Sequence, residues 1–318
     1  MLVSLLAAVT TSTVLAASDD PARLLPADTL IFFGSSSIQA ANEASTGTAM
    51  SKIMGEAEVR AFMHQPTQAA QHVLSVMMEQ ARGQLGENAP VDLNTAIDLD
   101  PSSFQALPLG EFFFGMTHVL LPGMPGAPDS GMPDLGLVAG VELLNAEHVE
   151  TLQGLWSSIP WEGGEANHSG LAYQTKMDPS TGFGVSLAML DNLAVVSVSE
   201  SALHGVIDRW KGDDAGGSLA TSAEYRTLIE AAGAVPTGGS SHMVRMGKLA
   251  PLFQVGLSIM LQQEGVEPEM MMKATQLFDS LGLGAVDLIG GVSSVGGDGN
   301  INNTTVMGVD PAGRGLMA

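Results

Sequence analysis

Between positions 171 and 198 three short apolar runs, 171–176, 182–189 and 193–198, are joined by connections too short for anything but a reversal of direction. The first connection is Asp178-Pro179-Ser180-Thr181-Gly182 and the second is Asp191-Asn192. Asp, Asn, Pro and Gly preset or tolerate turn dihedrals, so each joint reads as a tight turn. A parallel neighbour would need a crossover of a dozen or more residues. The segment is therefore an antiparallel meander, and hairpins are the material from which this chain must build its fold.

The same signature recurs on either side. Positions 29–34, β-branched and aromatic and closed by Gly34-Ser35-Ser36-Ser37, read as a buried strand. Positions 111–120 and 136–144 flank the Pro/Gly loop 122–133 and form a long hairpin. Another hairpin, 287–295 against 301–309, turns at Gly297-Asp298-Gly299-Asn300, and a further strand is predicted over 241–247. Helical spacing appears over 48–63, where Met50, Ile53, Met54, Ala57 and Ala61 share a face, and over 67–85 after Pro66. Asp100-Pro101-Ser102 opens a short helical turn. Asn145 and Ser199 cap helices running to about 158 and 211, and others are expected over 222–232, 249–262 and 268–281, the last with Pro268 in its first turn.

The order strand, helix, helix, strand, strand is thus met twice, over 30–144 and 243–309. Ala57-Glu58-Val59-Arg60-Ala61-Phe62 faintly echoes Ala223-Glu224-Tyr225-Arg226-Thr227-Leu228. The expectation is an α+β fold with largely antiparallel sheets and paired helices, built by internal duplication of a β-α-α-β-β unit. It divides the chain into a signal peptide (1–17), a first α+β unit (18–145), a connecting meander with helices (146–239) and a second α+β unit (240–318), which together can form one continuous domain.

Composition sets the compartment and narrows the partners. Residues 1–17 are apolar and uncharged and end Val14-Leu15-Ala16-Ala17 before the acidic Ser18-Asp19-Asp20. The run is long enough for a signal-peptide core and shorter than the ~20 residues of a membrane span, so cleavage after Ala16 or Ala17 is expected. Two readings stand against this: no Lys or Arg precedes the apolar core, which points to a true start upstream of Met1, and a buried strand or helix beginning at Met1 is the alternative. With 0 Cys the chain has no disulfides, no thiolate metal site and no lipid-modified cysteine, so packing must supply its stability. Its 45% hydrophobic content allows a sizeable core. The net charge of -22 disfavours nucleic acid and anionic membrane surfaces, which bind through cationic patches.

Leu24-Leu25-Pro26-Ala27-Asp28-Thr29, a following strand, Thr46-Gly47-Thr48 and the Ala57–Phe62 stretch resemble a family of exported bacterial proteins of unknown function. Ser218-Leu219-Ala220-Thr221-Ser222-Ala223-Glu224-Tyr225-Arg226 fits the same family. The resemblance implies an exported protein with repeated α+β units. It carries no activity and no functional residue, and family members run on past the Asp310–Gly315 region into a further repeat.

No catalytic constellation stands out. Gly34-Ser35-Ser36-Ser37-Ile38 lacks the second Gly of a nucleophile elbow, and Gly184-Val185-Ser186-Leu187-Ala188 lies inside a strand. None of the lysines follows a serine at the Ser-x-x-Lys spacing. The seven histidines show no His-x-His or His-x-x-x-His pair. Asp298-x-Asn300-x-Asn302 begins like a calcium loop, but Asn303 and Val309 stand where Gly and Glu are required. His242-Met243 with Met246 offers soft ligands, yet adjacent strand residues face opposite ways. Gly247-Lys248-Leu249 lacks a phosphate-cradling loop, and Asp98/Asp100 and Asp213/Asp214 read as solvated turns. Met270-Met271-Met272 reads as core filler between helices. Catalytic, cofactor and metal residues are therefore none. The chain is expected to be an exported periplasmic, envelope or secreted protein, a non-catalytic binding or structural module with a protein or envelope partner. An exported hydrolase with dispersed catalytic carboxylates and a membrane-tethered envelope protein are the alternatives.

Overall fold

A computed structural model describes residues 20–45, 109–120, 134–179, 182–213, 216–236, 238–251, 285–296 and 300–309. Turn chemistry fixes where its strands begin and end. The predicted hairpins appear as β2 (Leu109–Leu120) against β3 (Asp134–Leu143) and β9 (Val286–Val295) against β10 (Ile301–Val309). The meander is β5 (Leu171–Met177), β6 (Gly184–Leu190) and β7 (Leu193–Ser197). Asp191 holds the left-handed φ of 55° that its two-residue turn requires. The buried first strand is β1 (Ile31–Ser35), and β8 (Ser240–Val244) is shorter than predicted because a helical turn begins at 246.

β4 (Glu162–His168) has no counterpart in the sequence reading. Its Glu-Gly-Gly-Glu-Ala-Asn-His carries no apolar alternation, because as an edge strand it brings only Ala166 against the core and is held chiefly by its ladder to β5. The hairpin closes on Ser169 and Gly170, both at positive φ (51° and 77°), the two-residue turn that matches strand twist.

Among the described residues ten strands hydrogen-bond into one sheet in the order β10-β9-β8-β1-β2-β3-β7-β6-β5-β4, and every one of these pairings is antiparallel. This overturns the α+β expectation of paired helices: the fold is dominated by a single large sheet. The physical cause lies in β1, which is bonded along both edges, to β2 (Ile31↔Met116) and to β8 (Ile31↔Val244). Buried backbone donors and acceptors must be paired, and here the first strands of the two expected units satisfy each other. Outward from that pair the order is β1-β2-β3 on one side and β8-β9-β10 on the other.

The described helices α1 (Ile38–Ser45), α2 (Ala146–Ser158), α3 (Glu200–Trp210) and α4 (Ala223–Ala232) pack chiefly on strands and on the short 3-10 turns Pro21–Leu24 and Leu219–Thr221. On one face, α3 and α4 cover a core that includes Leu25, Phe32, Phe113, Val138, Val195 and Met243. On the other, Trp156 of α2 joins Leu109, Leu143, Leu187 and Ala194, with Ile38 of α1 beside them. β6 and β7 feed both cores by strict alternation, Ala188 and Val195 to the first and Leu187 and Ala194 to the second. Phe113 lies across the backbone of Gly140, where a Cβ would sit 2.1 Å from its ring.

Asn145 and Ser199 cap α2 and α3, their side chains accepting from the amides of His148 and Ala202. The predicted helices over 48–63 and 67–85, the turn at Asp100, the 122–133 loop, Ala16 and Ala17, and nearly all of the 249–281 helices lie outside the described residues. Among the described residues no helix is long and apolar enough to cross a membrane.

Candidate functional site

The richest collection of polar side chains forms where the β4–β5 hairpin meets α3. Leu203, Val206 and Ile207 are fully buried against the sheet. That places Glu200, His204 and Asp208, each four residues apart, on the flanking stripe that faces the hairpin. From the hairpin come His168 and Ser169 at the turn and Tyr173 on β5.

His168 Nε2 donates to both carboxylate oxygens of Asp208, at 2.8 and 2.9 Å. Ser169 Oγ donates to Asp208 Oδ1 at 2.7 Å, and Lys211 Nζ donates to the Ser169 carbonyl. The His168 and His204 rings stack nearly parallel, 3.8 Å apart at 4°. Tyr173 Oη lies 2.9 Å from His204 Nε2, with its ring edge-on to that imidazole.

The environment separates the groups electrostatically. Burial, followed by the neighbouring His168, holds the His204 imidazole below its ordinary range. Burial opposes ionisation of Asp208, but the hydrogen bonds from His168 and Ser169 and the two nearby imidazoles outweigh it and hold the carboxyl low. Burial and then the Glu200 charge push the Tyr173 hydroxyl up. A carboxylate, two imidazoles and a phenol thus meet on one ridge, with Asp208 as the fixed anion.

Serine activation requires the hydroxyl to bond an imidazole nitrogen whose other nitrogen is held by an acid. Here Ser169 and His168 both bond the same carboxylate, so the hydroxyl has no base. A second group, His118 with Asp134 and Ser201, fails on the same test. Asp134 Oδ2 (3.1 Å) and Ser201 Oγ (3.5 Å) share Nε2, while Nδ1 faces Thr117 Oγ1 at 2.9 Å.

Among the described residues two carboxylates are pushed upward, Asp20 and Glu111, in each case first by burial. They face the packed interior rather than a cleft. Glu111 pairs with Arg23 at 2.7 Å, and Asp20 accepts from Ala22 N and from Tyr225 Oη. A shallow cleft of about 150 Å³ between α2 and β4–β6, lined by Gln153, Glu165, Tyr173, Gln174, Leu187 and Met189, holds the single carboxylate Glu165. It is smaller than the usual small-molecule site.

The residues weighed in the sequence take structural places. Ser35 Oγ donates to the Gly239 carbonyl, Ser37 Oγ accepts from Ala40 N, and Ser186 is buried inside β6. Asn300 closes the β9–β10 hairpin by accepting from Gly296 N. Met243 fills the core while His242 stacks on Phe33 across the opposite face. Asp213 bonds the Asp208 carbonyl in the turn after α3. His64, His72, Asp98, Asp100, Asp214 and Met270–272 lie outside the described residues. His168 and His204 were missed because a spacing of that length carries no motif. The one available signal was Glu200-x-x-x-His204-x-x-x-Asp208 on a single helix face. No group of three or more metal-ligating side chains is formed among the described residues.

Comparisons with protein-family models, with curated proteins and with solved structures find no match for this chain.

Proposed function

We propose that this protein is an exported periplasmic, envelope or secreted module that works by binding or by supporting structure, not by breaking bonds. The observation that carries this reading is the closed hydrogen bonding of the α3 cluster. Asp208 takes both the His168 and the Ser169 donors, so the groups most suited to chemistry are engaged in clamping the β4–β5 hairpin to α3. Export is supported by the apolar run before Ser18 and by the anchoring of the chain from Asp20 onward. Asp20 caps the Pro21–Leu24 turn, and Ala22, Leu24 and Leu25 enter the core, so cleavage after Ala16 or Ala17 leaves every one of these contacts intact. The family resemblance of the Leu24–Thr29 motif points the same way.

Purified mature protein is expected to give no turnover on a panel of esters, peptides and glycosides. Turnover that disappears in Asp208→Asn would refute the non-catalytic reading. Mass spectrometry of the protein from its native host is expected to find an N-terminus at Ala17 or Ser18. An intact Met1 in the cytosol would refute export.

A further inference from the structure

The two edges of the ten-stranded sheet are built differently. An edge strand presents unpaired N–H and C=O groups, and soluble proteins protect such edges with charge, proline, bulges or short length. β4 follows that rule: Glu162 and Glu165 are exposed, and Gly163-Gly164 disfavours a further strand. β10 departs from it. Ile301-Asn-Asn-Thr-Thr-Val-Met-Gly-Val309 has no charged residue and no proline in a chain of net charge -22, and its only irregularity is a register shift at Gly308/Val309. Asn302 to Thr305 are exposed, Met307 is 47% exposed, and among the described strands β10 pairs only with β9.

We propose that β10 is an interaction surface for a second copy of this chain, β10 pairing antiparallel with β10 to join two sheets into one. It deepens the reading of the protein as a binding or structural module by naming the surface and the partner. An isologous contact places each residue opposite its symmetry mate, so any charge near the axis would meet its like. With the axis at Thr305, Thr305 opposes the second copy's Thr305, Thr304 opposes Val306 and Ile301 opposes Val309. These are neutral pairs rich in β-branched residues, a class that stabilises antiparallel ladders. An antiparallel joint between two hairpin-built sets of strands already exists inside the molecule, there through β1 and β8. β4 cannot substitute, because a β4–β4 contact would bring its glutamates together.

The charge of the chain sets a signature for the association. Two copies at -22 repel at long range, and salt shortens that repulsion to a Debye length of about 8 Å at physiological ionic strength. Self-association through a neutral edge is therefore expected to strengthen with salt, whereas capture of a basic partner would weaken.

The test is sedimentation velocity of the mature full chain over a concentration series, at about 0.15 M and about 0.5 M salt. A concentration-dependent dimer that tightens at higher salt is expected, with Thr305→Lys raising its Kd by about tenfold or more at unchanged circular dichroism. Hydrogen exchange is expected to slow in the β10 amides as concentration rises. A monomer at every concentration, a dimer unaffected by Thr305→Lys, or β10 amides that exchange at a concentration-independent rate would each overturn the proposal. None of these outcomes touches the turnover panel, and turnover would leave the dimer standing, so the two readings fail separately.

Discussion

Tyr225→Phe isolates one buried hydroxyl whose loss should depend on pH. Tyr225 is 2% exposed, and its ring packs edge-on against Phe32 at 5.7 Å and 84°, a contact phenylalanine keeps. Its hydroxyl donates to Asp20 Oδ2 at 3.0 Å and lies 2.9 Å from the Oγ of the equally buried Ser241. A hydrogen bond to a charged group contributes about 1.5–3 kcal/mol, and the buried Ser241 hydroxyl deprived of its partner adds about 1 kcal/mol. The expected cost at neutral pH is therefore about 2.5–4 kcal/mol.

The pH dependence follows from Asp20. Burial raises its carboxyl above the ordinary value, against the opposing pull of the Ala22 amide, the Tyr225 hydroxyl and Arg23. Removing the tyrosine donor raises it further. A carboxyl whose folded pKa exceeds its unfolded one costs stability above the folded pKa and none below the unfolded value of 3.8. The penalty of Tyr225→Phe should thus be greatest near neutrality and shrink as pH falls toward 3.8. Urea denaturation of both proteins across that range, followed by circular dichroism, measures it, with Ser241→Ala as a control expected to cost about 1 kcal/mol at every pH. A Tyr225→Phe penalty that stays constant or grows in acid would refute the assignment of the bond to an ionised Asp20.

Three further outcomes are expected. His204, held below the imidazole range, is protonated more readily in the unfolded chain, so the hairpin clamp should be fully stable above pH 6.5 and weaken as pH falls below it. Because His242 is depressed by burial as well, the readout must be local: the hydrogen-exchange protection factors of β4 and β5, which allow for the slower intrinsic exchange in acid, should fall as pH drops, and His204→Gln should abolish that fall. Gly140→Ala drives a methyl into Phe113 and should cost about 1–3 kcal/mol, a penalty that shrinks in a Phe113→Leu background as measured by a double-mutant cycle. Asn145→Ala removes the cap accepting from His148 N and should lower stability by about 1 kcal/mol in urea melts.

Local chemistry was legible in the residues that carry it. Asp191-Asn192 marked the β6–β7 turn and the Pro/Gly loop marked the β2–β3 hairpin, because turn dihedrals are set by a few adjacent side chains. Asn145 and Ser199 announced their helices for the same reason. β4 was silent because its ladder is made of backbone groups, which every residue possesses, and it brings only Ala166 against the core. The His168–His204 stack was equally silent, since it exists only where a hairpin turn is folded against the flank of α3.

The sequence by itself determined the antiparallel hairpins, the helix caps, the cysteine-free acidic character and the expectation of export, all of which depend on composition or on neighbours within a few positions. Only the tertiary structure decided that the hairpins merge into one ten-stranded sheet, that Asp208 binds both His168 and Ser169, and that one edge of the sheet is charged while the other is neutral. The physical reason is that strand pairing is directed by backbone hydrogen bonds, which are the same at every residue. Which edges meet is settled by the burial of both faces of the whole sheet at once.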